Sequence, residues 1–124
     1  MIDISFEYAE SRWQDIFLHL KKAGIEVYSP GQKVGECVSN YVVVKSNGSS
    51  NHTSFSTDVA LYSIMCYVPR DRYSELEPFV VKVKEKMKGL EPMILPHGNQ
   101  TPSYYDDSVK AHMINVGYKN YKKL

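Results

Sequence analysis

Hydrophobic residues recur at helical spacing in two segments of the chain. The first segment predicts an amphipathic helix whose apolar stripe consists of Trp13, Ile16, Phe17 and Leu20. We expect this helix to end at Gly24, because glycine readily adopts the left-handed conformation that follows a last helical turn. Its start stays open, since Ser11 fits an N-cap while Phe6 and Ala9 extend the stripe upstream.

The second helical segment covers residues 74–88. Its predicted apolar face consists of Leu76, Phe79, Val80, Val83 and Met87. Pro78 falls in the first turn, where the missing amide hydrogen costs least. Lysines flank both edges of the face, and their aliphatic stems can cover apolar surface while the ammonium groups reach water.

Apolar runs that are β-branched or alternate with period two predict four strands. They cover residues 41–45, 55–68, 90–95 and 108–121. Residues 46–54 are rich in Ser, Asn and Gly, so they predict a hairpin loop. Residues 96–107 predict a long, turn-rich connection.

The order of these elements predicts an α+β domain over residues 1–124. We expect a four-stranded, mostly antiparallel sheet with both helices packed on one face. The uncovered face would carry tyrosines, lysine and His112. Such a face is either exposed to solvent or used for contact with another protein.

Composition and charge narrow the range of partners. The chain has 124 residues and a formal net charge of +1, which argues against a broad electrostatic footprint on nucleic acid. Lysines concentrate after residue 80, however, so a local basic patch stays possible. The ten tyrosines suit contact surfaces, because the ring packs while the hydroxyl stays wet.

The sequence also predicts a cellular compartment. The first residues lack the basic and apolar segments of a signal peptide, and no apolar run approaches the ~20 residues that a membrane span needs. We therefore expect Cys37 and Cys66 to be reduced thiols in a cytoplasm, and we expect no membrane partner.

No pattern of catalytic or metal-binding residues emerges from the sequence. The glycines form no phosphate-binding loop, and the histidines and cysteines lack metal-ligand spacing. Asp106 and Asp107 are adjacent, which favours a turn or cap over a shared ligand. We therefore predict a protein that is not an enzyme and has no cofactor, metal or catalytic residue.

Two less favoured chemistries stay open. Cys37 could act as a nucleophile with His97 or His112, although no third, orienting residue is evident. A sheet that binds single-stranded nucleic acid would use exposed aromatic side chains near lysines. The candidates for that role are Tyr62, Tyr118 and Tyr121.

Several segments together resemble one family of phage proteins. They are the opening helix, Tyr28-Ser-Pro-Gly, Tyr41-Val-Val-Val-Lys with the polar hairpin, Leu61-Tyr-Ser-Ile-Met-Cys-Tyr-Val-Pro, Tyr73-Ser-Glu-Leu-Glu-Pro-Phe-Val, and Pro102-Ser-Tyr-Tyr-Asp-Asp-Ser-Val-Lys-Ala-His-Met. In this combination, which covers most of the chain, the sequence resembles the tail terminator (tail completion) proteins of siphophages and prophages of Gram-positive bacteria.

The resemblance implies a virion structural protein. Such a protein caps the tail tube, stops its polymerisation and joins the tail to the head, commonly as a hexameric ring through which DNA passes without sequence-specific binding. The implied partners are further copies of the chain, the tail tube protein and a head-connector protein. The implied locations are the bacterial host cytoplasm during assembly and then the tail or neck of the virion.

The resemblance also implies two contact regions and leaves alternatives. The predicted hairpin would reach the channel or a partner through Asn47, Gly48, Ser49, Ser50, Asn51, His52 and Thr53. The last predicted strand would supply subunit contacts from Lys110, His112, Ile114 and Tyr118. The alternatives are a neck adaptor or stopper of the head–tail connector and, more remotely, a small ligand-binding protein or enzyme.

Overall fold

Two helices and six strands form the part of the chain that the structure, a computed structural model, describes: residues 12–51 and 57–123. The helices are α1 (Trp13–Lys22) and α2 (Leu76–Met87). The strands are β1 (Val27–Tyr28), β2 (Tyr41–Asn51), β3 (Thr57–Pro69), β4 (Leu95–Pro96), β5 (Tyr104–Asp106) and β6 (Ala111–Lys123). Short 3-10 turns at Tyr73–Glu75 and Lys88–Leu90 flank α2.

All six strands belong to one sheet. Its order is β1–β2–β3–β6, and β4 and β5 pair with different parts of the outer edge of β6. Every pairing is antiparallel except that of β1 with β2. The α+β class with two helices is therefore confirmed, as is the mostly antiparallel sheet.

The predicted number of four strands is wrong, because β1 and β5 were missed. These strands have two and three residues, which is too short for a period-two pattern to emerge. They exist because of the long strands beside them: β1 pairs with Val42 and Val43, and β5 pairs with residues 111–113. The predicted strand 90–95 is also displaced, since β4 begins only at Leu95.

The hairpin loop predicted for residues 46–54 is wrong in its first half. Strand β2 continues to Asn51 and pairs with β3 there, with an irregularity between Ser46 and Ser49. Gly48 lies in this bulge at φ +82°, a backbone conformation that favours glycine. Pairing with β3 thus overrides the turn preference of a Ser- and Asn-rich segment. Residues 52–54 lie outside the described residues.

Helix α1 ends where the sequence predicts. Gly24 has φ +91° and donates its amide hydrogen to the Lys21 carbonyl at 3.0 Å, while Ile25 donates to the Leu20 carbonyl at 3.1 Å. These are the two hydrogen bonds of a Schellman cap, and the side chains of Leu20 and Ile25 join the same core. Ser11, the predicted N-cap, lies outside the described residues.

Both helices pack on the same face of the sheet, as predicted. The main core combines the apolar stripes of α1 and α2 with alternate residues of the three long strands. From the strands it takes Val42, Val44, Ala60, Tyr62, Ile64, Cys66, Val68, Ile114, Val116 and Tyr118. The Trp13 indole links α1 to β2 by donating a hydrogen bond to the Val44 carbonyl at 2.7 Å.

The opposite face is less open than the sequence predicts. It carries a second apolar cluster, formed by Cys37, Tyr41, Val43, Tyr67, Ala111 and Met113. Cys37 reaches this cluster from the segment between β1 and β2, which therefore covers one end of the face. The prediction that His112 lies on the uncovered face is also wrong. Side chains alternate along β6, so His112 lies on the same face as Ile114, which is the face that the helices cover.

The final strand starts three residues later than predicted because a turn precedes it. The Asp106 carboxylate accepts hydrogen bonds from the Ser108 amide and hydroxyl at 3.0 and 2.6 Å. Asp107 pairs with the Lys110 ammonium at 3.0 Å. The two aspartates therefore act in a turn, as the sequence predicts.

Replacement of Gly117 and of Gly89 by alanine is expected to affect stability to different degrees. A Cβ on Gly117 would lie 2.6 Å from the backbone oxygen of His97, whereas on Gly89 it would meet only the His19 ring, at 2.9 Å. We expect Gly117→Ala to lower the free energy of unfolding by about 1–3 kcal/mol and Gly89→Ala by about 1 kcal/mol or less, since a side chain moves more easily than paired backbone. Urea denaturation of both variants checks this, and an equal or reversed effect would contradict the close approach at Gly117.

Candidate assembly surfaces

Both cysteines are buried, free thiols. Burial raises the pKa of the Cys37 thiol, and raises the pKa of the Cys66 thiol to about 12, so both are protonated near neutrality. The Cys37 sulfur donates to the Ser39 carbonyl at 3.2 Å, and the His112 ring bonds the Arg70 carbonyl at 3.1 Å. No group of three or more His, Cys, Asp or Glu side chains that could hold a metal occurs in the described ranges.

The segment between β1 and β2 (residues 29–40) forms a well-anchored surface loop. The Cys37 amide donates to the Val109 carbonyl at 2.8 Å, which ties the loop to the chain just before β6. Ser29 and Gln32 exchange bonds at 2.9 and 3.0 Å, and the Ser39 hydroxyl donates to Glu26 at 2.9 Å. These bonds tie both ends of the loop to the chain around it.

Tyrosines form the base on which this loop rests. The ring of Tyr41 stacks on Tyr67 at 4.9 Å and meets Tyr28 edge-on at 5.4 Å. From the loop, the Lys33 ammonium lies 5.7 Å from the Tyr28 ring and 5.8 Å from the Tyr41 ring. Burial raises the pKa of both Tyr41 and Tyr67, so these phenols stay neutral.

Two valines project from the anchored loop into solvent. Val34 is 81% exposed and Val38 is 66% exposed, the largest exposures among the large hydrophobic side chains of the described residues. We call residues 29–40 the valine loop. Ordering two apolar side chains in water has no benefit for the monomer, but a preorganised apolar pair suits contact with another protein.

The other end of β2 forms a second surface. We define the tip as residues 45–51, 57–62 and 117–123, the ends of β2, β3 and β6 farthest from the valine loop. Strands β3 and β6 have 13 residues each and span about 43 Å, whereas α1 and α2 span only about 15 and 18 Å. Strands β3 and β6 are therefore more than twice as long as either helix.

The predicted hairpin residues fall partly on the tip. Asn47, Gly48, Ser49, Ser50 and Asn51 lie on β2, while His52 and Thr53 lie outside the described residues. The Asn47 amide donates a hydrogen bond to the Ser63 hydroxyl and so fastens the bulge to β3. The proposed channel or partner role of this segment stays a prediction.

The predicted subunit contacts on β6 separate into two groups. Ile114 and Tyr118 are each 3% exposed, in the main core of the single chain. Their predicted role as subunit contacts stays a prediction. Burial also raises the pKa of Tyr118 to about 12. Lys110 and His112 remain reachable at the turn and at the start of β6.

His112 belongs to a small aromatic corner. Its ring lies 4.7 Å from Tyr73 and 5.3 Å from Tyr105, and the Tyr73 hydroxyl bonds Ser103 at 3.0 Å. The corner therefore joins β6, β5 and the turn before α2. Because Tyr62 and Tyr118 are buried, the aromatic surface that single-strand binding would need is not formed by the predicted residues.

Sequence reasoning missed the valine loop, which is the better formed of the two surfaces. Its signal was the presence of two valines in a segment that otherwise reads as polar. The anchor at Cys37 could not be seen, because its partner Val109 is distant in sequence.

Comparisons with known proteins do not assign a family. A search with protein-family models returns no match, and a search of curated proteins finds none either. Within residues 12–51 and 57–123, no helix has the length and apolar character needed to cross a membrane.

Proposed function

We propose that this protein is a phage or prophage virion component that caps the tail tube and joins the tail to the head as a ring. The resemblance of several sequence segments to tail terminators supplies the proposal. The chemistry of the described residues fits a protein that works through its surfaces, since the two thiols are buried and protonated.

The observation that carries the proposal is the presence of exposed side chains in two regions at opposite ends of one strand. The valine loop exposes Val34 and Val38, and the tip, although partly buried, exposes Lys45 and Tyr121. The valine loop ends before Tyr41 and the tip begins at Lys45, so about 13 Å of β2 separates their nearest residues. The far end of the tip, at Asn51, lies about 33 Å from Tyr41 along the strand. A closed ring needs two distinct patches on each subunit, because its contacts are heterologous. The valine loop can supply one of these two patches, which would meet a different patch on the neighbouring subunit, while the tip is kept for the channel or the tube.

In this arrangement the valine loop makes the contact between subunits. Removing apolar surface from water is the dominant favourable contribution to most protein association, and the exposed valines offer such surface. The tip points towards the channel, which is where the resemblance places the segment around Asn47. The ring forms in the host cytoplasm and remains in the neck of the virion, in contact with the tail tube and a head-connector protein.

The cognate tail tube protein provides the test of this function. Tubes polymerised with and without this protein are compared by negative-stain electron microscopy. We expect a ring at one end of each tube and an end to further growth once this protein is added. Tubes that keep the same length distribution and carry no added density at either end would overturn the proposal.

A further inference from the structure

Charge is distributed very unevenly between the tip and the rest of the chain. The tip contains four lysines (Lys45, Lys119, Lys122 and Lys123) and one aspartate, Asp58, which gives it a formal charge of +3. The whole chain has a charge of only +1, so the residues outside the tip sum to −2. By sequence, the ranges of the tip are therefore more basic than the rest of the chain taken together.

The lysines of α2, unlike those of the tip, are balanced by an equal number of nearby acidic residues. Lys82, Lys84, Lys86 and Lys88 are balanced by Glu75, Glu77, Glu85 and Glu91 in the helix and the turns beside it. Lys84 is also engaged, because its ammonium donates to Gln100 at 2.9 Å. A general attraction to anions is therefore expected at the tip and not along α2.

Two lysines of the tip share the sheet face opposite the helices. Lys45 lies across from Ser63, and Lys119 lies across from Leu61, so alternation places both side chains on that face. The two ion pairs among the described side chains are Arg12–Asp15 and Lys110–Asp107, which leaves both lysines without a carboxylate partner there. Lys119 is instead held 5.2 Å from the ring of Tyr121.

Two lysines on one face, with no carboxylate partner among the described side chains, fit a polyanion such as a nucleic acid. Ammonium groups attract phosphates without regard to base sequence, because the attraction depends on released counterions. The strands that carry the two lysines, β2 and β6, both pair with the central strand β3. The lysines are therefore attached to a regular, hydrogen-bonded sheet. Tyr121 adds an exposed ring beside them.

We infer that the tip is a binding surface for the phosphate backbone of double-stranded DNA, with Lys45 and Lys119 as contact residues. The inference rests on the proposed function, in which DNA passes through the ring. It adds the surface and the residues that meet the DNA. The tip then guides the duplex through the channel by weak, salt-sensitive contacts.

Binding of a fluorescent 30-base-pair duplex tests this inference. Anisotropy is measured for the wild-type protein and for Lys45→Gln/Lys119→Gln over a range of salt concentrations, with light scattering on the same samples. We expect the double variant to bind at least about tenfold more weakly at low salt, and its logarithmic salt slope to fall by about one per lysine removed. Lys45→Glu, at an exposed position, repeats the test without disturbing the packing on Tyr121.

The matched control is Lys82→Gln/Lys86→Gln, which removes the same charge from α2. We expect this control to bind the duplex like the wild type. Equal losses in both double variants, or a wild-type ring that does not bind the duplex even at low salt, would overturn the inference. A ring that forms but does not bind the duplex would overturn the DNA-binding inference and leave the proposal of a ring intact. Duplex binding by a chain that never assembles would count against both the ring and the DNA channel.

Discussion

The double substitution Val34→Asp/Val38→Asp is expected to prevent ring assembly while the subunit stays folded. Both side chains are mostly exposed in the single chain, so carboxylates there meet water and cost the monomer little. In an interface the same carboxylates would be buried without partners. Loss of the burial of two valines, at about 1.5–3 kcal/mol each, raises the concentration needed for assembly by at least about 100-fold.

Light scattering and thermal unfolding of the same samples measure the two halves of this prediction. The matched control is Leu18→Asp/Val81→Asp, which places two carboxylates on the outer surface of the helices at positions 52% and 59% exposed. We expect the control to assemble normally. Assembly of the valine-loop variant at wild-type concentrations, or equal failure of the control, would show that the loop is not the contact.

The second large effect is expected at the centre of the sheet, where Ile64→Ala should lower the free energy of unfolding by about 2–5 kcal/mol. Ile64 is fully buried on β3 and lies between Val44 on β2 and Val116 on β6. Its truncation leaves a cavity that three paired strands cannot close without breaking hydrogen bonds. Strand β3 runs from the end of the molecule that carries the valine loop to the tip. We therefore expect the loss of stability at Ile64 to weaken assembly as well.

Urea denaturation of a graded series at the same position checks this effect. Ile64→Val removes a single methylene and should cost only about 0.5–1.5 kcal/mol. Val81→Ala, on the exposed side of α2, should change stability by less than about 0.5 kcal/mol. A loss at Ile64→Ala no larger than that at Val81→Ala would contradict the position of Ile64 in the core.

Local signals were enough to predict the helices and the long strands. The end of α1 depends on Gly24 and the residues next to it, and the apolar faces of both helices repeat at short spacing. Such features are visible in a sequence because the interacting residues are close together in the chain. The same holds for the turn at Asp106 and Asp107.

Features that depend on distant partners were not predictable in this way. Strands β1 and β5 are defined by hydrogen bonds to β2 and β6, and the extension of β2 is defined by its register with β3. Ile114 and Tyr118 were considered for a surface role because alternation identifies a face without showing which face the helices cover. The valine loop required the contact of Cys37 with Val109, which no short-range pattern encodes.

The most direct measurement is the mass of the particle that this chain forms, alone and with fragments of its tail tube. Light scattering from micromolar to millimolar protein, with negative-stain images of the large species, is sufficient. We predict a closed ring, with six subunits as the expected number, either in solution or on the tube end. A chain that stays monomeric over this range, both alone and beside the tube, would contradict the proposal that it is a ring-forming tail component.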